Sequence, residues 1–113
     1  MNGKIKSLSK SEDFKNLLNG KRISNPYSTI FFKKIPSKNN KLLNVSFVTK
    51  KKIGNAIKRN KIKRRLRNIM NDAIKTINMN LNYSYLFIAK KNIYDANYKM
   101  IKDSIFKDLI KVR

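Results

Sequence analysis

The chain contains no cysteine and no histidine, and these two absences exclude several kinds of site. Without cysteine there is no disulfide framework and no thiolate ligand, which fits a reducing compartment, so we expect a cytoplasmic protein. Neither a Cys–His pair nor a His-dependent triad can be built. With only three glycines the chain also lacks a glycine-rich phosphate-binding loop. We therefore expect no active site made of protein side chains.

Long apolar runs are missing as well. No stretch of about 18 apolar residues is present, and the N-terminus lacks the apolar segment of a signal peptide. At 113 residues, of which 41% are hydrophobic, the chain fits one domain with a modest core. We expect a single domain over residues 1–113, in which residues 1–10 are basic, lack periodicity and form a mobile arm.

Acidic residues are scarce. The chain has six of them and 28 lysines and arginines, which gives a formal charge of +22. Residues 14–71 contain seventeen of these cations and no acid. Self-repulsion of this size destabilises an isolated compact chain and favours a polyanionic partner. RNA or DNA is the first candidate, and a membrane surface is the second. The carboxylate pairs Glu12/Asp13 and Asp103/Asp108 are better explained as a helix start and a helix surface than as catalytic pairs.

Hydrophobic periodicity predicts helices and strands in the order α-β-β-α-β-α, which is an α+β fold. A short helix begins at Ser11 and stops at Gly20. The later elements are expected at residues 27–32, 42–49, 55–79, 83–91 and 93–112. The first two strands would form an antiparallel hairpin, and the third is apolar enough to be central. The pattern neither predicts nor excludes a further short strand around residues 50–53.

Residues 50–67 form the most distinctive stretch, because ten of the eighteen are Lys or Arg and none is acidic. The apolar positions that continue through it fall within an arc of about 80° on a helix. They are Ile62, Leu66, Ile69, Ala73 and Ile77. A charge run is usually a solvated face, but solubility does not need ten cations on one element. The pattern indicates a helix that docks on a core and presents cations to a nucleic acid.

The polar side chains of this helix suggest individual roles. Arginines bind phosphate through two N–H groups at once, whereas lysines act as point charges, and an asparagine can donate to a phosphate or a 2′-OH. The candidates are Arg59, Arg64 and Arg67, then Lys61 and Lys63, then Asn60.

The aromatic residues divide less clearly between core and surface. Phe32, Phe87 and Phe106 are expected in the core. Phe14, Tyr27 and Phe31 fit the core or a platform on which unpaired bases stack, and spacing alone leaves both open. Strand alternation would put Tyr27 and Phe31 on the same face of the sheet.

Residues 51–67, KKIGNAIKRNKIKRRLR, resemble the RNR signature of the bacterial ribonuclease P protein component. SEDF at 11–14 and YLFIAKK at 85–91 fall where that family has its first helix and fourth strand. The resemblance runs from about Lys4 to the C-terminus. It implies an α-β-β-β-α-β-α fold related to a ribosomal protein domain, with a mostly antiparallel central sheet. It also implies a left-handed β-α-β crossover, an exception to the usual handedness.

The same resemblance implies a function. The chain would bind a large catalytic RNA, which with its Mg²⁺ ions would cleave the 5′ leader from precursor tRNA, and no obligate protein partner is evident. The implied contacts with the catalytic RNA are Lys51, Lys52, Arg59, Asn60, Lys61, Lys63, Arg64 and Arg67. The implied contacts with the leader lie in a cleft between the first helix and the sheet, and they are Phe14, Leu18, Tyr27, Phe31 and Lys90.

Two positions depart from the family pattern. Lys61 stands at the third position of the RNR signature, so a two-point guanidinium contact is lost while the charge remains. Leu18 stands where a second cleft aromatic is common. A small basic ribosomal protein is the alternative assignment, and a protein-only nuclease is a third.

Overall fold

The computed structural model describes residues 5–36, 38 and 41–112, and in this part of the chain a five-stranded sheet is combined with three helices. The strands are β1 (Ile5–Ser7), β2 (Lys21–Ser24), β3 (Ser28–Lys34), β4 (Leu43–Val48) and β5 (Tyr83–Ala89). The helices are α1 (Ser11–Leu18), α2 (Ala56–Thr76) and α3 (Tyr98–Ile110). The expected α+β class is confirmed, and β2 is an additional strand that periodicity did not reveal.

The strand order is β1-β4-β5-β3-β2, so β5 is the central strand, as its apolar sequence predicted. β5 pairs antiparallel with β3 and parallel with β4. At the edges, β1 pairs parallel with β4, and β2 pairs antiparallel with β3. The sheet is therefore mixed, with two antiparallel and two parallel strand pairs, and most of its paired residues lie in the antiparallel pairs.

The predicted hairpin between β3 and β4 does not form, because β5 lies between these two strands. A strand that is apolar on both faces is best covered at the centre of a sheet, which separates its neighbours in sequence. α2 supplies the long crossover that the parallel β4–β5 pair requires. The handedness of this crossover stays a prediction.

The expectation of a mobile arm does not hold for residues 5–10. β1 forms an edge strand, and the backbone N–H of Leu8 donates to the carbonyl of Val45 at 3.1 Å. Leu8 is buried and packs with Leu17 and Leu86. Ile5 and Leu8 are too few apolar positions to create a period, so this strand left no signal in the sequence. Residues 1–4 lie outside the described residues.

Helices cover both faces of the sheet. α2 and α3 pack on one face, where the predicted apolar arc of α2 is confirmed: Ile62, Leu66, Ile69 and Ala73 are at most 1% exposed, and Ile77 packs against the same core. On the other face, α1 buries Leu17 against Leu86 of β5. Among the described residues, none of the helices combines the length and apolar character needed to cross a bilayer.

Local contacts set where the helices begin. The side-chain carbonyl of Asn55 accepts from the backbone N–H of Lys58 at 3.0 Å and caps α2. The segment before it, Lys51–Ile53, is a short 3₁₀ turn and not a strand. Asn97 caps α3 in the same way by accepting from the N–H of Lys99 at 2.8 Å. α1 includes Ser11 as its first residue and has no side-chain cap.

Candidate nucleic-acid interface

The cations of α2 emerge on two flanks, because the apolar arc between them faces the sheet. On one flank, α2 and the edge formed by β1 and β4 enclose an open groove of about 470 Å³, which we call the β1 groove. It is lined by Ser7, Val45, Ser46, Phe47, Asn60, Lys63, Arg64 and Arg67. Four of the eight residues predicted to bind the catalytic RNA therefore share one surface.

Arg67 is held in place inside the β1 groove. Its Nη2 donates to the hydroxyl of Ser7 at 3.0 Å, and its guanidinium carbon lies 5.8 Å from the centre of the Phe47 ring. A cation over an aromatic face gains about 0.5–1 kcal/mol at an exposed site. Ser7 and Phe47 were not recognised in the sequence, since nothing there shows that two distant strands meet this arginine.

The positive charge of the groove is not neutralised by nearby acids. Within the described ranges, ion pairs join Lys38 to Asp13 at 3.0 Å and Lys102 to Asp72 at 3.1 Å, and neither involves a groove residue. Lys63, Arg64 and Arg67 are exposed. A concave surface of one sign attracts counter-ions of the other sign, so this groove favours an anion.

The other predicted RNA contacts lie outside the groove. Lys61 is on the opposite flank of α2, where its Nζ lies 5.7 Å from the centre of the Tyr94 ring. Arg59 is half-buried, and its buried Nε has no hydrogen-bond partner in the described part of the chain. Lys51 and Lys52 are exposed in the 3₁₀ turn that precedes α2. The eight predicted residues thus form several neighbouring surfaces.

The predicted leader cleft corresponds to the side of the sheet that carries α1. Phe14 of α1 and Phe31 of β3 are both half-buried, and both pack against the cluster of Leu8, Leu17 and Leu86. Leu18, at the end of α1, is 50% exposed. The structure therefore brings Phe14 and Phe31 to one partly open apolar surface.

Tyr27 is not on that surface, so the expectation that it shares a face with Phe31 is wrong. The side-chain carbonyl of Asn25 accepts from the N–H groups of Tyr27 and Ser28, at 2.8 and 2.9 Å. This turn delays the strand alternation until Ser28, and Tyr27 packs against the core on the α2 side.

Lys90, the last predicted leader contact, is tied to the turn before β3. Its Nζ donates to the hydroxyl of Ser24 and to the carbonyl of Asn25, both at 2.7 Å. It also lines a hollow of about 480 Å³ at the end of β5, together with Thr29, Lys50, Lys52, Ile53, Ile88, Ala89 and Lys91. The ammonium thus has one N–H left for a ligand.

Comparison with known proteins identifies the family. A profile described as "Ribonuclease P" matches residues 3–113. The chain belongs to the ribonuclease P family. A ribonuclease P protein component from Fusobacterium nucleatum is 38% identical over 115 residues, covering 96% of this chain and 94% of the relative. Another, from Caldanaerobacter subterraneus, is 29% identical over 114 residues, covering 98% of this chain and 92% of the relative.

Solved structures show the same fold. The ribonuclease P protein from Thermotoga maritima has a TM-score of 0.79 at 22% identity, covering 96% of this chain and 98% of that one. The protein from Staphylococcus aureus has a TM-score of 0.77 at 22% identity, covering 94% and 93%. The function expected from the RNR resemblance, that of a ribonuclease P subunit in tRNA 5′ processing, is therefore confirmed. The ribosomal alternative gains no support from these matches.

Proposed function

We propose that the chain binds the catalytic RNA of ribonuclease P through the β1 groove and helps that RNA to remove the 5′ leader of precursor tRNA. The observation that carries this proposal is the convergence of Asn60, Lys63, Arg64 and Arg67 on one open groove. These positions are spaced i, i+3, i+4 and i+7, so they stack along one helix flank. The composition without cysteine supports a cytoplasmic site of action.

The groove suits an RNA backbone better than a single base. Arg64 and Arg67 offer forked N–H groups to phosphate oxygens, and Lys63 adds a mobile point charge. Asn60 is exposed between them and can donate to a phosphate or accept from a 2′-OH. Such contacts position folded RNA without reading its sequence.

The chemistry would belong to the RNA. Asp13 and Asp72 are in ion pairs with Lys38 and Lys102. Asp108, expected on a helix surface, is instead buried and accepts from Asn25 Nδ2 at 2.9 Å. Mg²⁺ is usually held by carboxylate oxygens, and the described residues include no group of three or more potential metal-ligating acids. No acid is among the described residues that line the β1 groove, so the groove offers Mg²⁺ no carboxylate, and we assign the ions of the reaction to the RNA.

The leader would follow the α1 side of the sheet. Phe14 and Phe31 offer apolar faces on which unpaired bases can stack, at about 1–3 kcal/mol per base, with Leu18 at the rim. The hollow at the end of β5 would hold the leader phosphates; it includes Lys90 and also Lys52, which the resemblance had assigned to the catalytic RNA. Tyr27 lies on the other side of the sheet, so we do not include it in this path.

The test is precursor-tRNA cleavage by the catalytic RNA at low Mg²⁺, with and without the chain. We expect faster leader removal with the chain, because its cations reduce repulsion between the two RNAs. The chain alone should cleave nothing. A rate that the chain leaves unchanged would contradict the proposal, and turnover by the RNA-free chain would assign the chemistry to the protein.

A further inference from the structure

The flank of α2 opposite the β1 groove gathers three cations around one residue. The Nζ atoms of Lys58 and Lys61 lie 5.0 and 5.7 Å from the centre of the Tyr94 ring. Arg65 Nη1 donates to the backbone carbonyl of the same residue at 3.2 Å. We call these four residues the Tyr94 flank.

The Tyr94 flank concentrates three positive charges, and the nearest acid along the chain from its tyrosine is Asp95. Farther along the contact between α2 and α3, Asp72 pairs with Lys102 at 3.1 Å, so an acid is accommodated there. In the portion of the chain that the structure describes, no ion pair within 4 Å involves Lys58, Lys61 or Arg65. The aromatic face offsets the repulsion between the two ammonium groups only in part. An anionic ligand would relieve the remainder.

The flank is separate from the β1 groove. At 100° per residue, the average direction of the three flank cations lies about 140° around the helix from that of the groove residues. RNA that is bound in the groove beside Arg64 and Arg67 therefore lies on the side of α2 away from Lys61. Ile57 occupies the ridge between the two surfaces and is 80% exposed. RNA engaging both surfaces would cover this apolar side chain, which otherwise stays in water.

We propose that the Tyr94 flank binds the phosphate backbone of a second segment of the catalytic RNA. The N-terminal half of α2 is then held between two RNA segments. This proposal rests on the proposed function, since the partner is the same RNA. Lys58 and Lys61 make the phosphate contacts. Tyr94 is a positioning residue whose ring and carbonyl hold the cations in place.

The test compares three variants of the full chain by hydroxyl-radical footprinting of the catalytic RNA and by binding titrations at several salt concentrations. Lys58→Gln combined with Lys61→Gln removes two of the three flank charges, those assigned to the phosphate contacts, and Arg64→Ala removes a groove charge. Lys75→Gln combined with Lys107→Gln is the matched control, because both lysines are exposed and outside the two surfaces.

The flank variant should lose protection at nucleotides other than those lost with Arg64→Ala. Two lost phosphate contacts correspond to a salt slope shallower by about 1.4–1.8 and to roughly 15- to 30-fold weaker binding at about 0.15 M salt. The control variant should keep the full footprint. Loss of protection at the same nucleotides as with Arg64→Ala, or an equal loss in the control variant, would contradict the binding of a second RNA segment.

A second comparison isolates Tyr94. Tyr94→Leu should weaken binding in the wild-type background but have little effect once Lys58 and Lys61 are Gln, whereas Tyr94→Phe, which keeps the ring, should bind normally. Equal losses in both backgrounds would overturn the positioning role. If the wild-type chain gives no footprint, the proposed function itself fails. If the wild-type chain gives a footprint and the flank variant leaves it unchanged, only the proposal for the Tyr94 flank fails.

Discussion

Replacing Arg64 by alanine tests the β1 groove with little disturbance of the fold. Arg64 is exposed, lines the groove, and lies on α2 away from the buried arc of Leu66 and Ile69. Alanine is at least as good a helix former as arginine, and exposed substitutions of this kind usually change stability by less than about 0.5 kcal/mol. A change in RNA affinity would therefore report the contact and not unfolding.

The expected size of the effect follows from counter-ion release. One phosphate contact contributes up to about 0.9 to the slope of log affinity against log salt. At about 0.15 M salt this corresponds to roughly fivefold in affinity, or about 1 kcal/mol. A guanidinium that binds two phosphate oxygens adds charge-assisted hydrogen bonds, so fivefold is the lower expectation for Arg64→Ala. The slope is the sharper measure, because it counts the phosphate charges that are neutralised.

The assay is equilibrium binding of labelled catalytic RNA from about 50 to about 300 mM salt, a range over which the slope of log affinity against log salt can be compared between variants. Lys75→Ala is the matched control, since this exposed lysine in the last turn of the same helix lies outside the groove. We expect a shallower slope for Arg64→Ala and a wild-type slope for Lys75→Ala. A wild-type slope for Arg64→Ala, or the same change in both variants, would refute the assignment of Arg64 to the interface.

Three further substitutions test the rest of the molecule. Phe31→Ala should lower affinity for leader-bearing precursor tRNA by about 1 kcal/mol or more while sparing mature tRNA, and equal losses for both RNAs would make Phe31 purely structural. Gly20→Ala would put a Cβ atom 2.5 Å from the carbonyl oxygen of Phe32. Urea titration should show a loss of about 1–3 kcal/mol, and an unchanged midpoint would contradict that clash. Burial, with a smaller contribution from Tyr83, raises the pKa of Tyr85. The unfolded chain therefore releases this proton first, so unfolding free energy should fall as pH rises above about 10, and Tyr85→Phe should flatten the fall.

The sequence predicted α2 and its apolar side because the information is local. A helix that packs on a sheet must repeat its apolar residues at the helical period, and Ile62, Leu66, Ile69 and Ala73 do so. The central position of β5 was predictable for a similar reason, because its residues are apolar on both faces. Strand pairing was not, since the position of β5 between β3 and β4 depends on contacts between residues far apart in the chain.

The candidate site shows the same division between local and distant information. The RNR signature identified the groove residues Asn60 and Arg64, but a signature is linear, whereas helix geometry turns Lys61 to the opposite flank. Strand alternation assigned Tyr27 to the wrong face, because the turn centred on Asn25 interrupts the period. In both cases the residue type was informative, and its direction depended on local backbone geometry.

The two ends of α2 have different physical tasks, and this explains its unusual charge distribution. Cations in the first turns of a helix oppose its dipole at a cost of about 0.3–1 kcal/mol each, with Asn55 as the only compensating cap identified there. The C-terminal half compensates by burying Leu66, Ile69 and Met70 completely. The core thus stabilises a helix whose exposed end is electrostatically unfavourable in the free protein. A bound polyanion removes that cost. The cations of α2 that favour RNA binding therefore also lower the stability of the free chain.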